Sequence, residues 1–110
     1  MTDSVPRTTW PTAIVLYGID RGLRYGFDLI EASGLRAGTV YPILRRLEEA
    51  GMLVGAWEPV SRSRAEGRPP RRYYRLTVAG EAKLAEALAR YPGVARSLEA
   101  ESASARRARA

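Results

Sequence analysis

At 110 residues the chain is long enough for one domain with a real core and too short for two, and it carries 18 basic against 12 acidic side chains, a net charge of +6. Cysteine and histidine are both absent, which excludes a disulfide framework and a thiolate metal site, together with the commonest metal ligand and general base; neither catalysis nor a metal or cofactor is expected. The longest strongly apolar run, residues 13 to 17, is far too short to cross a bilayer and no charged-then-apolar leader opens the chain, so a cytoplasmic protein without a membrane partner is expected.

Residues 1 to 8 are polar, contain Pro6 and read as a frayed lead-in. From Thr9 or Trp10 a helix is predicted to about Asp20, with Thr9 as cap and Pro11 in the first turn. Its run Ala13 to Tyr17 is apolar on most sides, which predicts burial against more than one neighbour. Gly22 ends it. A second helix opens at Tyr25 and Gly26 and stops around Ser33 and Gly34, with Phe27 and Ile30 expected to face the core. A Gly-containing turn to Arg36 then leads into a third helix, a helix-turn-helix spacing whose geometry fits DNA reading, although any small helical domain has short turns of this kind.

The third helix, residues 37 to 50, carries two faces. Val40, Ile43, Leu44, Leu47 and Ala50 fall on one buried stripe. Gly38, Tyr41, Pro42, Arg45 and Glu49 fall on the opposite side, with Thr39 and Arg46 on its flank. Gly51 ends the helix as a left-handed residue. Gly38 in the first turn and Pro42 inside the helix lower its intrinsic stability. Beside an exposed tyrosine they make a slim helix start suited to close approach to a phosphate backbone or groove floor; the plainer reading is a tolerated proline in a surface helix.

After Gly51 the pattern becomes strand-like over Met52 to Glu58, with Leu53 and Trp57 on one parity, and Pro59 stops it. The return strand runs from Arg71 to Thr77. Between them, residues 60 to 70 are too long for a tight turn and rich in Arg, Gly and Pro, so a mobile loop is expected. Residues 61 to 75 hold Arg62, Arg64, Arg68, Arg71, Arg72 and Arg75 against Glu66 alone, which places most of the net charge in one segment. Such a local cationic segment on a balanced body points to a polyanion, and a wing over residues 59 to 70 contacting phosphates is favoured over a solvated loop.

Thr77 is expected to cap a last helix whose Val78, Leu84, Leu88 and Tyr91 partly form an apolar stripe among alanines. Pro92 and Gly93 interrupt it; a helical continuation through Val94 and Leu98 to about Ala105 follows, and the last few residues are expected to fray. So alanine-rich a helix has few large groups for its own core, which favours pairing with a second copy through Trp10, Ile14, Leu84, Leu88 and Tyr91. Truncation after Tyr91 is then expected to matter less than deletion of residues 78 to 110. Trp10, Trp57 and Tyr91 are candidates to line an inter-subunit pocket for a planar small-molecule effector, beside the plainer reading of ordinary packing.

The strings YGFDLIEASGL, GTVYPILRRLEEAGML and PPRRYYRLTVAGE, with Trp57 between the last two, cover residues 25 to 81 and resemble the PadR family of bacterial transcriptional regulators. The resemblance implies a mainly α fold with a small β-hairpin, a winged helix-turn-helix over residues 9 to 77 and a C-terminal dimerisation segment over residues 78 to 105. It further implies a homodimeric repressor whose third helix enters the major groove and whose wings contact flanking phosphates, with Gly38, Thr39 and Tyr41 as DNA contacts. Two departures stand out. Tyr25-Gly26 replaces the family's His-Gly pair, and Arg36 replaces the small polar cap before helix three, where it can add a phosphate contact. Longer relatives also carry a larger helical dimerisation region.

The function expected is therefore sequence-specific binding of double-stranded DNA at a pseudo-palindromic operator, most simply as a repressor and not as an enzyme. Candidate contacts are Arg36, Gly38, Thr39, Tyr41, Pro42, Arg45 and Arg46 on the third helix and Arg62, Arg64, Arg68, Arg71 and Arg72 on the wing. Arg45 and Arg46 are the candidate base readers, since arginine pairs bidentately with guanine; the competing role is a surface pair answering Glu48 and Glu49. The alternative function is a winged-helix protein–protein interaction module without DNA binding.

Overall fold

The computed structural model describes residues 7–109, with side chains up to residue 101; of the lead-in expected over residues 1 to 8, residues 1–6 lie outside it. Helix α1 (Trp10–Asp20) is the central element. The Thr9 hydroxyl accepts from the Thr12 N–H at 3.3 Å, and Pro11 occupies the first turn, where its missing donor costs no helical bond. Ala13, Ile14, Val15, Leu16 and Ile19 are all buried, because α1 packs against four of the later helices and a strand.

Helix α2 (Gly26–Ser33) is reached by a short turn and ends at a left-handed Gly34. Here the expected core face is corrected. Phe27 is 55% exposed, Leu29 is fully buried and Ile30 is half-buried against the core. About two turns of helix allow more than one apolar stripe, and the neighbour chooses: Leu29 occupies the space left by the missing side chain of Gly18 on α1.

Helix α3 (Ala37–Glu49) buries Val40, Ile43, Leu44 and Leu47 as its spacing predicts, while Ala50, at the helix end, is half-buried. Gly51, at φ 78°, closes it in a Schellman motif: Met52 N–H donates to the Leu47 carbonyl at 2.9 Å and Gly51 N–H to Glu48 at 3.0 Å.

Strand β1 (Leu53–Trp57) pairs antiparallel with β2 (Arg72–Leu76), in a register running from Leu53 opposite Leu76 to Trp57 opposite Arg72. The root is buried at Leu53 and Tyr74, and the far end projects, leaving Trp57 62% exposed. An unexpected third edge joins them. Tyr25 bridges Tyr73, and Tyr74 N–H donates to the Arg24 carbonyl at 2.9 Å, which ties the entry of α2 to the hairpin. Between the strands, the loop expected over residues 60 to 70 is instead folded, with helix α4 (Val60–Ala65) starting after Pro59.

Helix α5 (Val78–Arg90) begins where Thr77 joins two elements: its hydroxyl accepts from Gly80 N–H at 3.1 Å and donates to the Gly51 carbonyl at 2.7 Å. Gly80 sits so close to the Met52 carbonyl that a Cβ would overlap its oxygen and stand 3.0 Å from the carbonyl carbon. Backbone cannot swing aside as a side chain does. Gly80→Ala should therefore destabilise by about 1–3 kcal/mol, the usual range for overpacking, read as a lower urea midpoint at unchanged slope. An unchanged midpoint would show that α5 can move off β1 freely.

The chain then turns at Pro92 and Gly93 into α6 (Val94–Arg109), which continues past the expected end near Ala105. It packs against α1 and α2 of the same chain. This corrects the expectation of a terminal segment too poor in large groups to join its own core: Leu84, Ala87, Val94 and Leu98 are all buried, and it is Val78 that stands 84% exposed. Small side chains let the helices approach closely enough for a few large ones to suffice. No described helix is long and apolar enough to cross a membrane.

Candidate nucleic-acid interface

The outer side of α3 carries the residues its periodicity predicts. Arg36, Gly38, Tyr41, Arg45 and Arg46 are exposed, and Thr39 and Pro42 are half-buried. Arg36 stands at the N-cap without a side-chain cap bond; its carbonyl receives the N–H groups of Thr39 and Val40 at 2.9 and 3.0 Å. The first turn therefore presents the positive end of the helix dipole without an internal counter-group. Among the described residues no ion pair holds Arg45 or Arg46: Glu48, one expected partner, goes to Arg72 instead. Pro42 leaves α3 continuous.

Tyr41 is held by a feature that sequence spacing does not reveal. Its ring lies on the first turn of α2 where Gly26 has no side chain, since a Cβ there would stand 2.9 Å from Cζ and 3.0 Å from the hydroxyl oxygen. The outer face of α3 and the first turn of α2 thus meet through this ring. Beside it, a slot of about 240 Å³ opens between α2, α3 and β2, lined by Tyr25, Phe27, Tyr41, Arg71, Arg72 and Tyr74. Helix and wing root meet there.

The wing differs from the expected mobile loop, because carboxylates are built into it. Glu58, just past β1, is 3% exposed and accepts hydrogen bonds from the two terminal guanidinium nitrogens of Arg68, Nη1 and, at 3.2 Å, Nη2. It also accepts the Arg71 N–H at 2.8 Å. Arg68 reaches Glu66 as well, at 2.8 Å. Arg72 donates to Glu48 at 2.5 Å and lies over the Trp57 ring, 5.6 Å from its centroid. Arg71 covers the Tyr25 ring at 5.5 Å. Two of the five expected wing contacts, Arg68 and Arg72, are thus committed to internal carboxylates. Arg64 is exposed, and Arg62 stands 3.9 Å from Glu66 with most of its side chain in solvent. The signal missed in the sequence was Glu58, which reads as the end of a strand and not as part of the charged segment.

The Arg68 hydrogen bond, reinforced by the Arg71 N–H and opposed by burial, holds the Glu58 carboxyl below the ordinary glutamate value. A carboxyl whose folded pKa is depressed stabilises above its unfolded pKa and loses that contribution as the pH falls through the folded one. The wing should accordingly loosen as the pH drops below about 4.5, the ordinary value. Glu58→Gln should loosen it already at neutral pH and abolish the acid step. Amide exchange across residues 60–70, followed against pH, reads both effects; a wild-type acid step that survives in the variant would assign it to another group.

Of the residues expected at a dimer interface, Ile14 and Leu84 are buried in the chain's own core and are withdrawn from that role, because their surface is consumed by α1, α5 and α6 packing together. Trp10 remains 37% exposed and meets Tyr91 edge-on at 5.8 Å; the Tyr91 hydroxyl donates to the Thr8 carbonyl at 3.2 Å, and Leu88 is half-buried. Trp57 does not join them, being held under Arg72 on the wing.

The chain matches the transcriptional regulator PadR-like family over residues 15–86. Its fold is similar to that of a PadR family transcription regulator from Clostridium difficile R20291, with a TM-score of 0.64 over 83% of this chain and 96% of the other, at 18% identity. It is also similar to a PadR-like transcription factor from Bacteroides fragilis, with a TM-score of 0.60 and 26% identity over 80% of this chain and 85% of the other. A stretch of 57 residues, 51% of the chain, is 40% identical to part of the aspartate–tRNA(Asp/Asn) ligases of Salinispora arenicola and Salinispora tropica. The chain spans 9% of the length of those curated relatives.

Proposed function

From the premise that this chain belongs to the PadR-like family of transcriptional regulators, a family of regulators and not of enzymes, we propose that it is a sequence-specific repressor acting in the cytoplasm as a homodimer on a pseudo-palindromic operator. The observation that carries the reading is the outer face of α3. It combines an open N-terminal turn at Arg36 and Gly38, a clamped Tyr41, and exposed Arg45 and Arg46, which no ion pair holds among the described residues. Arginine with no carboxylate to satisfy it suits bidentate contact with guanine in a major groove. Gly38, Thr39 and Pro42 keep the start of the helix slim.

Arg62 and Arg64 neutralise backbone phosphates from α4, and Arg71 does so from the slot beside Tyr41. Arg68 and Arg72 shape the wing and contribute little direct contact. Dimerisation uses what remains on the surface of the expected interface, Trp10, Leu88 and Tyr91, and the Trp10–Tyr91 pair forms one wall of a site for a planar effector. Selecting bound fragments from the source genome, then measuring affinity for the recovered site against random competitor over a range of salt, tests the reading. A salt-dependent, competitor-resistant complex is expected. Failure to recover any site would favour a protein partner for α3.

A further inference from the structure

The wing and α3 belong to separate local elements, and their relative angle decides whether both reach one duplex. Hairpin strands of five residues are about 16 Å long, so a tilt of about 15° at the root carries the tip about 4 Å, beyond the reach of a hydrogen bond. An ion pair spans the gap. Glu48, one residue from the C-terminal end of α3, accepts from Arg72, the first residue of β2, at 2.5 Å. The guanidinium gets there by crossing β1 at Gly55: a Cβ at that position would stand 2.8 Å from Nη2 and 2.9 Å from Nε of Arg72, and 2.9 Å from the Glu48 oxygen. Trp57 covers the guanidinium from the neighbouring strand. A helix, both strands and the bare Cα of a glycine thus converge on a single ion pair, whose side chains are only 30% and 33% exposed.

We propose that Glu48 and Arg72, meeting over Gly55, are positioning residues for DNA binding: they lock the wing at the angle where Arg62 and Arg64 reach the backbone of the duplex read by α3. The assignment rests on the DNA-reading function proposed above. It makes a prediction opposite in sign to plain electrostatics. Glu48 is an acidic group on a DNA-facing helix, so removing its charge should tighten binding if it acts only through the field. If it acts by position, binding must weaken.

The test uses the full chain with Glu48→Gln and Gly55→Ala; the second keeps both charges and pushes flexible side-chain ends apart without meeting backbone. Each should weaken binding to the selected site about tenfold, within the range of coupled pairs. Each should also flatten the salt slope by roughly 0.9 for every phosphate the wing no longer neutralises, with the preference over random DNA retained. In an Arg62→Gln/Arg64→Gln background, where the two cations that the lock is to place are gone, the same two substitutions should change affinity less than about twofold. Equal or tighter binding by Glu48→Gln, or the full weakening persisting in that background, overturns the proposal. A wild-type chain that binds no DNA removes instead the reading beneath it. Circular dichroism should show native helix content in every variant, and weaker binding that merely tracks a fall in helix content also overturns the positioning role.

Discussion

Removal of residues 94–110 should lower the stability of this domain by about 3–6 kcal/mol. The segment looks dispensable by composition, yet Val94 is fully buried and Leu98 is 3% exposed, in a helix that packs on α1 and α2. Burying one large aliphatic side chain is worth about 1.5–3 kcal/mol, and the two together approach the whole net stability of a small domain, about 5–15 kcal/mol. The shortened chain should show a lower urea midpoint, and also a smaller slope because less surface is left to expose. Retention of the full-length midpoint would mean that α6 rests on the core without holding it.

On DNA the larger effect should come from Arg45. Loss of a base-reading arginine costs about 1–3 kcal/mol per base pair read on the cognate site, doubled in a symmetric dimer, and almost nothing on random sequence. Arg45→Ala should therefore erode preference. Arg64→Ala, on the exposed wing helix, should weaken cognate and random DNA alike and flatten the salt slope by roughly 0.9 per phosphate. The contrast follows from mounting. Arg45 projects from a helix with four buried anchors, whereas Arg64 sits on a six-residue helix at the tip of a two-stranded hairpin. Arg68→Ala belongs to neither class, because it strands the Glu58 carboxylate and acts through the fold of the wing. Titrations of both DNAs at several salt concentrations separate the cases; a cognate-to-random ratio that survives Arg45→Ala and collapses with Arg64→Ala reverses the roles.

Elements whose signals are local could be read before any coordinates. The caps at Thr9 and Thr77, the stripe of Val40, Ile43, Leu44 and Leu47, the stop at Gly51 and the two strands all follow from residue type and spacing within a few positions. So did the outer face of α3, since a helix with one apolar stripe leaves the opposite side by geometry alone. What the sequence could not reveal depended on residues far apart in the chain. Which face of α2 is buried was decided by Gly18 on α1 receiving Leu29, and the clamp on Tyr41 by Gly26. The arginine-rich segment showed Glu66 alone as counter-charge because Glu58 and Glu48 lie outside it and are brought in by strand and helix packing; that placement turns Arg68 and Arg72 inward and leaves Arg62 and Arg64 outside. Composition made the last helix look too poor in large side chains for a core, and only packing decided otherwise: burial depends on how closely neighbouring helices approach, and small side chains are what allow Val94 and Leu98 to be enclosed.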